Sequence, residues 1–320
     1  MLVCDQAYLP AAQFVASQIA AQQVRTYDLV LVLTDSDVSS LATAHGIATI
    51  GAKSAIDAAL PPHCRSSAAL ARLLVARLLP ARYTRILYLD CDVWVATPEL
   101  HRIFDIDLGG RPLAAARDSF EIFSRHDRRF LQHKAAIGMS PAALYFNSGV
   151  MLIDRAQWVA ERIEERALAY VATAGRLDHQ DQTALNAVID GRWKELSPRW
   201  NWAHATRERT TRAFTPHIMH FMGPSKPWDD VRARYPARYG EAMRRFFAGA
   251  GADGFFRPTP PAARLSRHVY TCLKALRGLV HDRREQAIRD LMRQHGRAEP
   301  SPGEPLREVR DGAASMSATG

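Results

Sequence analysis

The sequence predicts an α/β protein in which helices cover a mostly parallel sheet. Short apolar runs of strand length alternate along the chain with longer segments of helical periodicity, which is typical of parallel strands joined by helices. Aspartates directly follow several of these apolar runs. The carboxyl ends of parallel strands share one edge of a sheet, and ligands collect at that edge. The length of 320 residues, 47% of them hydrophobic, allows a sizeable core.

The alternation is clearest in the first half of the chain. Strands are predicted at Leu2–Cys4, Tyr27–Thr34, Ala48–Ile50, Ile86–Leu89 and Leu113–Arg117, and helices at Pro10–Gln22, Ser39–His45 and Ser66–Leu79. The first strand is short for a core strand, and a start codon upstream of Met1 would explain it.

The second half adds a covering segment, more helices and an extension. We predict a loop or helix over a site at Phe120–Lys134, a strand pair with a polar kink at Leu144–Ile153, and helices at Arg155–Ala174, Asp178–Ile189 and Arg264–Val280. The proline-rich stretch from Pro258 to Pro261 is interpreted as a linker. The chain then divides into a domain at 1–257, a basic amphipathic helical extension at 258–297 and a disordered tail at 298–320.

Composition narrows the class of protein. The sequence has no apolar run long enough to cross a membrane and no signal-peptide pattern. The four cysteines are scattered without a Cys-x-x-Cys pair, which favours a reducing cytosol over a disulfide or zinc framework. We therefore expect a cytoplasmic protein.

The positive charge is concentrated in the C-terminal third. The net charge is +9, and residues 226–320 carry 18 Lys/Arg against 11 Asp/Glu, a net charge of +7. A non-catalytic nucleic-acid-binding protein is one hypothesis, but no recognisable binding motif accompanies the charge. A basic amphipathic helix fits the surface of an anionic membrane better. A helix packed on the main domain with a solvated face is the other interpretation.

The stretch from Arg85 to Val95 carries the strongest chemical signal. A buried strand here delivers Asp90 and Asp92, one residue apart and on the same side of an extended chain. Two carboxylates held close together are costly without a cation between them. A metal site is one interpretation, and a pair of solvated turn aspartates is the other.

A haloacid-dehalogenase-type phosphohydrolase would also place an Asp-x-Asp pair after an apolar strand. Asp90 would then be the nucleophile and Asp92 the acid/base. Against this hypothesis, Trp94 occupies a position where Thr or Val is usual, and no Lys followed by a late acidic pair is evident.

Four segments in order, YLDCDVWV, YFNSGVMLID, DHQDQTALN and HFMGPSKPW, resemble the retaining glycosyltransferases of family 8. The resemblance covers roughly residues 1–230 and is nearest to bacterial lipopolysaccharide galactosyl- and glucosyltransferases. It implies a GT-A fold, with a mixed sheet flanked by helices. It also implies a UDP-sugar donor and a divalent metal, usually Mn²⁺, with Mg²⁺ as the alternative.

The resemblance assigns a metal site and a diphosphate site. Asp90 and Asp92 match the metal-binding aspartates, and His220 matches the third ligand. Gly223 and Lys226 match the diphosphate-binding positions, since a glycine lets the backbone approach a phosphate and a lysine supplies a point charge. A divalent cation neutralises the charge of a departing diphosphate, and manganese accepts mixed oxygen and imidazole ligands.

Three further positions match the donor site. Arg72 corresponds to an arginine that reaches the donor, although an arginine extending to solvent fits its pattern equally well. Asp5 and Tyr8 match the nucleoside-binding first loop. The chain departs from the family here, because Gln6 and Ala7 replace the usual Asp and Asn.

The resemblance assigns the sugars to Asp118, Asn147, Asp181 and Gln182. Carboxylates and amides suit paired sugar hydroxyls. For Asp181 the other interpretation is an acid favoured by a helix N-terminus. Gln182 is a poor nucleophile, so front-face attack by the acceptor hydroxyl, with the donor phosphate as base, is the expected route to retention.

The sequence therefore predicts a hexosyltransferase that moves galactose or glucose from a UDP-sugar to a saccharide with an α-linkage. The expected acceptor is a lipopolysaccharide core or another surface glycan. The expected partners are the UDP-hexose donor, a glycan or glycolipid acceptor and the anionic inner face of the cytoplasmic membrane, without nucleic acid.

Overall fold

A computed structural model describes residues 1–37, 47–60, 67–174, 180–204, 208–266 and 283–296. Within these ranges, seven strands form one sheet in the order β3-β2-β1-β4-β7-β6-β8. These strands are β1 Leu2–Cys4, β2 Leu29–Leu33, β3 Ile47–Gly51, β4 Arg85–Leu89, β6 Leu113–Arg117, β7 Phe146–Asp154 and β8 Lys194–Glu195. A separate two-stranded sheet pairs β5 Val93–Val95 with β9 Ile218–His220.

The direction of β7 makes the large sheet mixed. β7 runs antiparallel to both of its neighbours, β4 and β6, while the other pairings in the sheet are parallel. The carboxyl ends of β1, β4 and β6 therefore share an edge with the amino end of β7. The predicted mostly parallel α/β sheet is confirmed, and it places Asp90, Asp118 and Asn147 at one edge.

Helices pack on both faces of the sheet. They are α1 Leu9–Ala20, α2 Lys53–Ala59, α3 Ser67–Leu70, α4 Val75–Leu78, α5 Ser119–Ser124, α6 Arg128–Ala136, α7 Arg155–Ala160, α8 Ile163–Thr173, α9 Gln180–Ile189, α10 Glu208–Phe214, α11 Ala237–Gly249, α12 at 261–266 and α13 Arg283–His295. Short 3₁₀ turns occur at Gln6–Tyr8, Ala71–Leu74, Leu100–Asp105, Pro198–Trp200 and Asp253–Phe255.

Alternation along the strands separates two cores. In β4, Leu87 and Leu89 join α1 and α11 in one core, while Ile86 and Tyr88 face α8 and α9 in the other. This division follows from successive side chains of a strand pointing to opposite faces. Both faces of β4 are buried, so its apolar run is continuous rather than alternating.

Two predicted helices are interrupted in the structure. The helix expected at Ser66–Leu79 tightens into a 3₁₀ turn at Ala71–Leu74, where Arg72 Nε donates to the Ala69 carbonyl at 3.0 Å. A side-chain donor on that carbonyl competes with the regular helical bond. The helix expected at Arg155–Ala174 divides into α7 and α8, because Arg162 adopts a left-handed conformation with φ of 51°.

The strand pair expected at Leu144–Ile153 is instead one strand, β7. Its polar residues do not break it, because Asn147 and Ser148 are buried with hydrogen-bond partners on neighbouring elements. The irregularity lies in β6, whose register against β7 shifts between Ala115 and Arg117. The covering segment predicted at Phe120–Lys134 forms α5 and α6.

The C-terminal extension is described only in part. The helix predicted at Ser39–His45, most of the helix predicted at Arg264–Val280 and the tail at 298–320 lie outside the described residues. Helix α13 packs on the main domain through the buried side chains of Ile288 and Met292. Within the described ranges, no helix combines the length and apolarity that crossing a membrane requires.

Candidate active site

The small two-stranded sheet brings the Asp-x-Asp pair to a distant histidine. β5 follows Asp92 directly and pairs antiparallel with β9, with Val93 opposite His220. The Phe221 N–H donates to the Asp92 carbonyl at 2.9 Å, which extends this pairing by one step. His220 therefore lies beside the carboxyl end of β4.

Asp90, Asp92 and His220 form a compact group of possible metal ligands. His220 Nε2 lies 3.2 Å from Asp92 Oδ1 and 3.7 Å from Asp90 Oδ2. One ligand atom from each residue falls within 4.8 Å of the others. Two carboxylate oxygens and one imidazole nitrogen suit a cation such as manganese, so the residues present fit the predicted metal.

Gly149 of β7 makes room for this group. A Cβ at position 149 would lie 2.3 Å from His220 Cε1 and 2.7 Å from Asp90 Oδ2, closer than real side chains approach. The Gly149 carbonyl accepts from the Asp90 N–H at 2.8 Å. The missing side chain therefore lets β7 hold Asp90 while leaving space for the imidazole.

Lys226 and His220 hold Asp92 in its ionised form. Lys226 Nζ contacts Asp92 Oδ2 and donates to the Phe221 carbonyl at 2.8 Å. Burial by itself would raise the pKa of Asp92, but the contact with His220 and the charge and hydrogen bond of Lys226 outweigh it and hold this pKa well below its usual range. The carboxylate is thus charged at neutral pH.

Arg72 is held among carboxylates rather than extending to solvent. Its side chain is buried, its Nη2 lies 2.9 Å from Asp90 Oδ1 and its Nε lies 2.8 Å from Asp181 Oδ2. Burial lowers the pKa of Arg72, but Asp181 and Asp90 outweigh this and raise it above its usual value. Tyr88 adds a hydrogen bond of 2.8 Å to Asp90 Oδ1 and lies beneath the guanidinium, 4.9 Å from ring centre to Cζ.

Asp118, Asn147 and Gln182 form one hydrogen-bonded group, which we call the Asp118 cluster. Asp118 Oδ2 accepts from Asn147 Nδ2 at 3.1 Å and from Gln182 Nε2 at 3.2 Å. Gln182 Oε1 accepts from the Ser148 N–H at 3.0 Å. The strand β7 and the helix α9 therefore bring these predicted sugar-binding residues together. Asp181 lies beside them, with Oδ2 at 3.4 Å from Ser148 Oγ.

The first loop approaches the site through Tyr8. Asp5 caps the turn at Gln6–Tyr8 by accepting from the Tyr8 N–H at 2.9 Å. The Tyr8 ring is 43% exposed and meets Trp228 edge-on at 6.3 Å. Burial raises the pKa of Tyr8, and the negative charges of Asp92 and Asp5 raise it further. Tyr8 therefore links the first loop to Trp228, which follows Lys226 by two residues.

Gly223 lies on the loop between His220 and Lys226. Its φ of +86° is in the left-handed region that favours glycine, and a Cβ here would meet no heavy atom within 4 Å. Tyr235 braces the same loop with a hydrogen bond of 3.0 Å to the Ser225 carbonyl. The loop thus keeps an open backbone turn next to the metal-ligand group.

The sequence prediction missed three contributors to the site. Ser148 Oγ accepts from Arg72 Nη1 at 2.9 Å, and Tyr88 donates to Asp90. Asn201 contacts both His220 and Asn147. Tyr88 and Ser148 lie inside quoted motifs and could have been found there, whereas Asn201 carries no local signal beyond the Trp-rich segment around it.

Comparisons with known proteins identify the family of the chain. The family model of glycosyl transferase family 8 matches residues 1–232. General stress protein A of Bacillus subtilis is 29% identical over 176 residues, which are 48% of this chain and 56% of that protein. The lipopolysaccharide 1,2-glucosyltransferase of Escherichia coli is 27% identical over 171 residues, which are 49% of this chain and 48% of that protein. The chain thus spans about half the length of these curated relatives.

Solved structures show the same fold. The galactosyltransferase LgtC, in complex with donor and acceptor sugar analogues, superposes with a TM-score of 0.57 at 23% identity, covering 82% of this chain and 98% of that one. The bifunctional glycosyltransferase WbbM gives a TM-score of 0.59 at 18% identity, covering 77% of this chain and 50% of that one. The predicted GT-A architecture is confirmed.

Proposed function

Since the chain belongs to glycosyl transferase family 8, we propose that it transfers a hexose, galactose or glucose, from a UDP-sugar to a saccharide acceptor with retention, giving an α-linkage. One observation carries the proposal. Asp90, Asp92 and His220 converge beside Lys226 at the sheet edge where ligands of α/β proteins bind. The names of the relatives, a lipopolysaccharide glucosyltransferase and a galactosyltransferase, support a surface glycan such as the lipopolysaccharide core as acceptor.

We propose that Asp90, Asp92 and His220 hold Mn²⁺, with Mg²⁺ as the alternative. The imidazole among the ligands favours manganese, because magnesium prefers an all-oxygen environment. Bound there, the cation would neutralise the negative charge that develops on the departing diphosphate.

The chain's own residues complete the donor site in this proposal. Lys226 supplies a positive charge, and the Gly223 turn offers backbone that a phosphate can approach without a side chain in the way. Arg72 is buried against Asp90 and Asp181, so it acts on the donor from within a fixed network. Asp5 and Tyr8 would hold the nucleoside.

The Asp118 cluster and Asp181 are proposed to orient the two sugars. The cluster presents carboxylate and amide groups whose partners are fixed by β7 and α9, and such groups read paired hydroxyls. Asp181 is paired with Arg72. Gln182, which the family resemblance places nearest to a nucleophile position, is chemically a weak nucleophile. This arrangement supports front-face attack by the acceptor hydroxyl, with the donor phosphate accepting its proton.

The other hypotheses have less support. A phosphohydrolase nucleophile at Asp90 would need a free carboxylate oxygen, whereas Arg72 and Tyr88 bond its Oδ1 and His220 faces its Oδ2. For the nucleic-acid hypothesis, the C-terminal charge stays the sole observation in favour. A cytoplasmic protein that touches the inner membrane surface at a glycolipid acceptor remains part of the proposal.

The substitution Asp92→Asn tests the proposed chemistry. It removes one charged ligand while keeping the side-chain shape, so release of UDP from a UDP-hexose with Mn²⁺ should fall by about 10²-fold or more. The exposed Asp107, whose Oδ1 accepts from the Gly109 N–H, provides the matched control Asp107→Asn, which should keep full activity. An Asp92→Asn enzyme as active as the control would overturn the metal assignment.

A further inference from the structure

Asn201 is the buried side chain that joins the possible metal ligands to the Asp118 cluster. It follows the 3₁₀ turn Pro198–Trp200 and is 6% exposed. Its Oδ1 lies 3.0 Å from His220 Nδ1, and its Nδ2 donates to Asn147 Oδ1 at 2.8 Å. Asn201 therefore bridges a proposed metal ligand and a proposed sugar-binding residue.

One backbone group fixes the direction of these hydrogen bonds. The Gly149 N–H can only donate, and it points to Asn147 Oδ1 at 3.0 Å, so this atom is an acceptor oxygen. The Asn201 atom beside the same oxygen must then be its Nδ2 donor. The other amide atom of Asn201 is consequently the oxygen, and it faces His220.

The rest of the network agrees with this assignment. Asn147 Nδ2 faces Asp118 Oδ2 and Gln182 Oε1, and both are acceptors. Gln182 Oε1 is itself identified as an oxygen because the Ser148 backbone N–H donates to it at 3.0 Å. Two backbone N–H groups of β7 thus orient all three amides.

The oxygen of Asn201 determines where His220 carries its proton. An acceptor 3.0 Å from Nδ1 requires Nδ1 to be protonated. In a neutral imidazole the lone pair then lies on Nε2, the nitrogen that faces Asp92 Oδ1 and Asp90 Oδ2. Three acceptor atoms converge in this state, which is the arrangement that a cation needs.

We infer that Asn201 is a positioning residue that holds His220 as an Nδ1-protonated imidazole and so presents Nε2 as a metal ligand. The inference rests on the proposed metal-dependent function. It adds a physical connection between the two halves of the site, because the same amide that orients His220 also orients Asn147. A turn of the His220 ring would break its hydrogen bond to Asn201 Oδ1.

Two substitutions separate the two bonds of Asn201. Asn201→Asp keeps an acceptor for His220 Nδ1 but loses the donor to Asn147, whereas Asn201→Leu loses both. Mn²⁺ binding to the free protein, without nucleotide sugar, is measured by the decrease of the free-ion signal in electron paramagnetic resonance. Asn201→Leu should weaken binding by about 10- to 100-fold, and Asn201→Asp should keep most of the wild-type affinity.

Thr211→Val is the matched control. Thr211 is buried, and its hydroxyl accepts from Trp202 Nε1 at 2.8 Å and donates to the His204 carbonyl at 3.1 Å, so its loss disturbs the packing beside Asn201 while both side-chain hydrogen bonds of Asn201 stay in place. Mn²⁺ affinity should be unchanged in this variant. Equal losses of affinity in Asn201→Leu and Asn201→Asp would contradict the inference, because a general packing role would affect both variants alike.

Nitrogen-15 NMR of the histidine rings gives a second readout that needs no metal. The His220 signal is identified by its absence in His220→Gln. Neutral His220 should be protonated at Nδ1 in the wild type and shift toward Nε2 protonation in Asn201→Leu. An Nε2-protonated wild type would overturn the inference. A wild type that binds no Mn²⁺ would instead contradict the proposed function, and the NMR result would still decide the role of Asn201.

Discussion

Arg72 and Lys226 balance the negative charge of the carboxylates in the candidate site. Arg72 pairs with Asp90 and Asp181, while Lys226 pairs with Asp92. Buried carboxylates require such partners, since an uncompensated charge in a protein interior is very costly. The proposed cation must therefore compete with Lys226 for Asp92, which would free the lysine for the diphosphate of the proposed donor.

His217, away from this group, makes folding sensitive to acid. Burial, with Arg199 and Arg102 nearby, lowers the pKa of His217 to about 3, against an ordinary value of 6.5. Between these values the unfolded chain binds a proton that the folded protein does not. The free energy of unfolding should therefore fall as the pH decreases from about 6.5 toward 3.

The substitution His217→Phe should reduce this pH dependence while keeping an aromatic ring against Trp200, whose centre is 4.3 Å away. Urea unfolding of both proteins at a series of pH values measures the effect. An equally steep loss of stability in acid for both proteins would show that His217 does not contribute.

Some residues of the candidate site could be predicted from the sequence, and others could not. Asp90, Asp92 and Lys226 lie in short motifs, and neighbouring residues in the sequence are enough to predict their chemistry. Asn201 could not be found this way, because its contacts are to His220 and Asn147, which meet it only through the pairing of β5 with β9 and the position of β7. A lone buried asparagine gives no signal until its partners are known.

Among the elements, β7 contributes most to the geometry of the site. It supplies Asn147, Ser148 and the space at Gly149, and its N–H groups orient the amides around it. The run Asn147-Ser148-Gly149 predicts a kink because it interrupts an apolar segment and because Asn and Gly are depleted in strands. Here its polar residues are buried and paired, a condition that depends on α9 and could not be derived from the strand itself.

The substitution Gly149→Ala tests the role of β7. The added methyl would overlap with His220 and Asp90, so it should displace the imidazole, abolish most Mn²⁺ binding and lower the free energy of unfolding by about 1–3 kcal/mol. Gly249→Ala at the end of α11 is the matched control, because a Cβ there meets nothing within 4 Å. Normal Mn²⁺ binding by Gly149→Ala would contradict the described packing.

Helices α5 and α6 are tied to β7 by a buried ion pair. Lys134 Nζ lies 2.6 Å from Glu121 Oε2, both side chains are about 1% exposed, and the same oxygen accepts from the Tyr145 N–H at 3.1 Å. Asp118, which caps α5, is positioned by this covering segment. The Lys134–Glu121 ion pair therefore helps to hold α5, and with it Asp118, in position.

Lys134→Met should lower the free energy of unfolding by about 3–5 kcal/mol, because it leaves the Glu121 charge buried without its main partner. The double substitution Lys134→Met with Glu121→Gln should be less destabilising than the single one, since it removes the unpaired charge. Chemical denaturation measures both. A double variant that is less stable than Lys134→Met would contradict the assignment of the cost to an uncompensated carboxylate.

At the scale of the whole molecule, the sequence predicted the α/β class, the sheet edge that carries the site and the approximate course of most elements. The sequence did not predict the interruptions of two helices. The 3₁₀ turn at Arg72 depends on tertiary contacts, and the left-handed conformation of Arg162 is a local feature, and hydrophobic periodicity indicates neither of them. The division into a main domain and a basic extension stays a prediction. Helix α13 packs on the main domain and closes part of the same core.

The proposed donor and metal are tested most directly by the melting temperature of the purified protein with a panel of nucleotide sugars, measured with and without Mn²⁺. A ligand that binds only the folded state stabilises it by mass action, by about 2.7 kcal/mol at a hundredfold excess over its Kd. A UDP-hexose should raise the melting temperature only in the presence of Mn²⁺, and this increase should disappear in Asp92→Asn. An unchanged melting temperature with every UDP-sugar, or an increase of the same size without Mn²⁺, would contradict the proposed metal-dependent donor site.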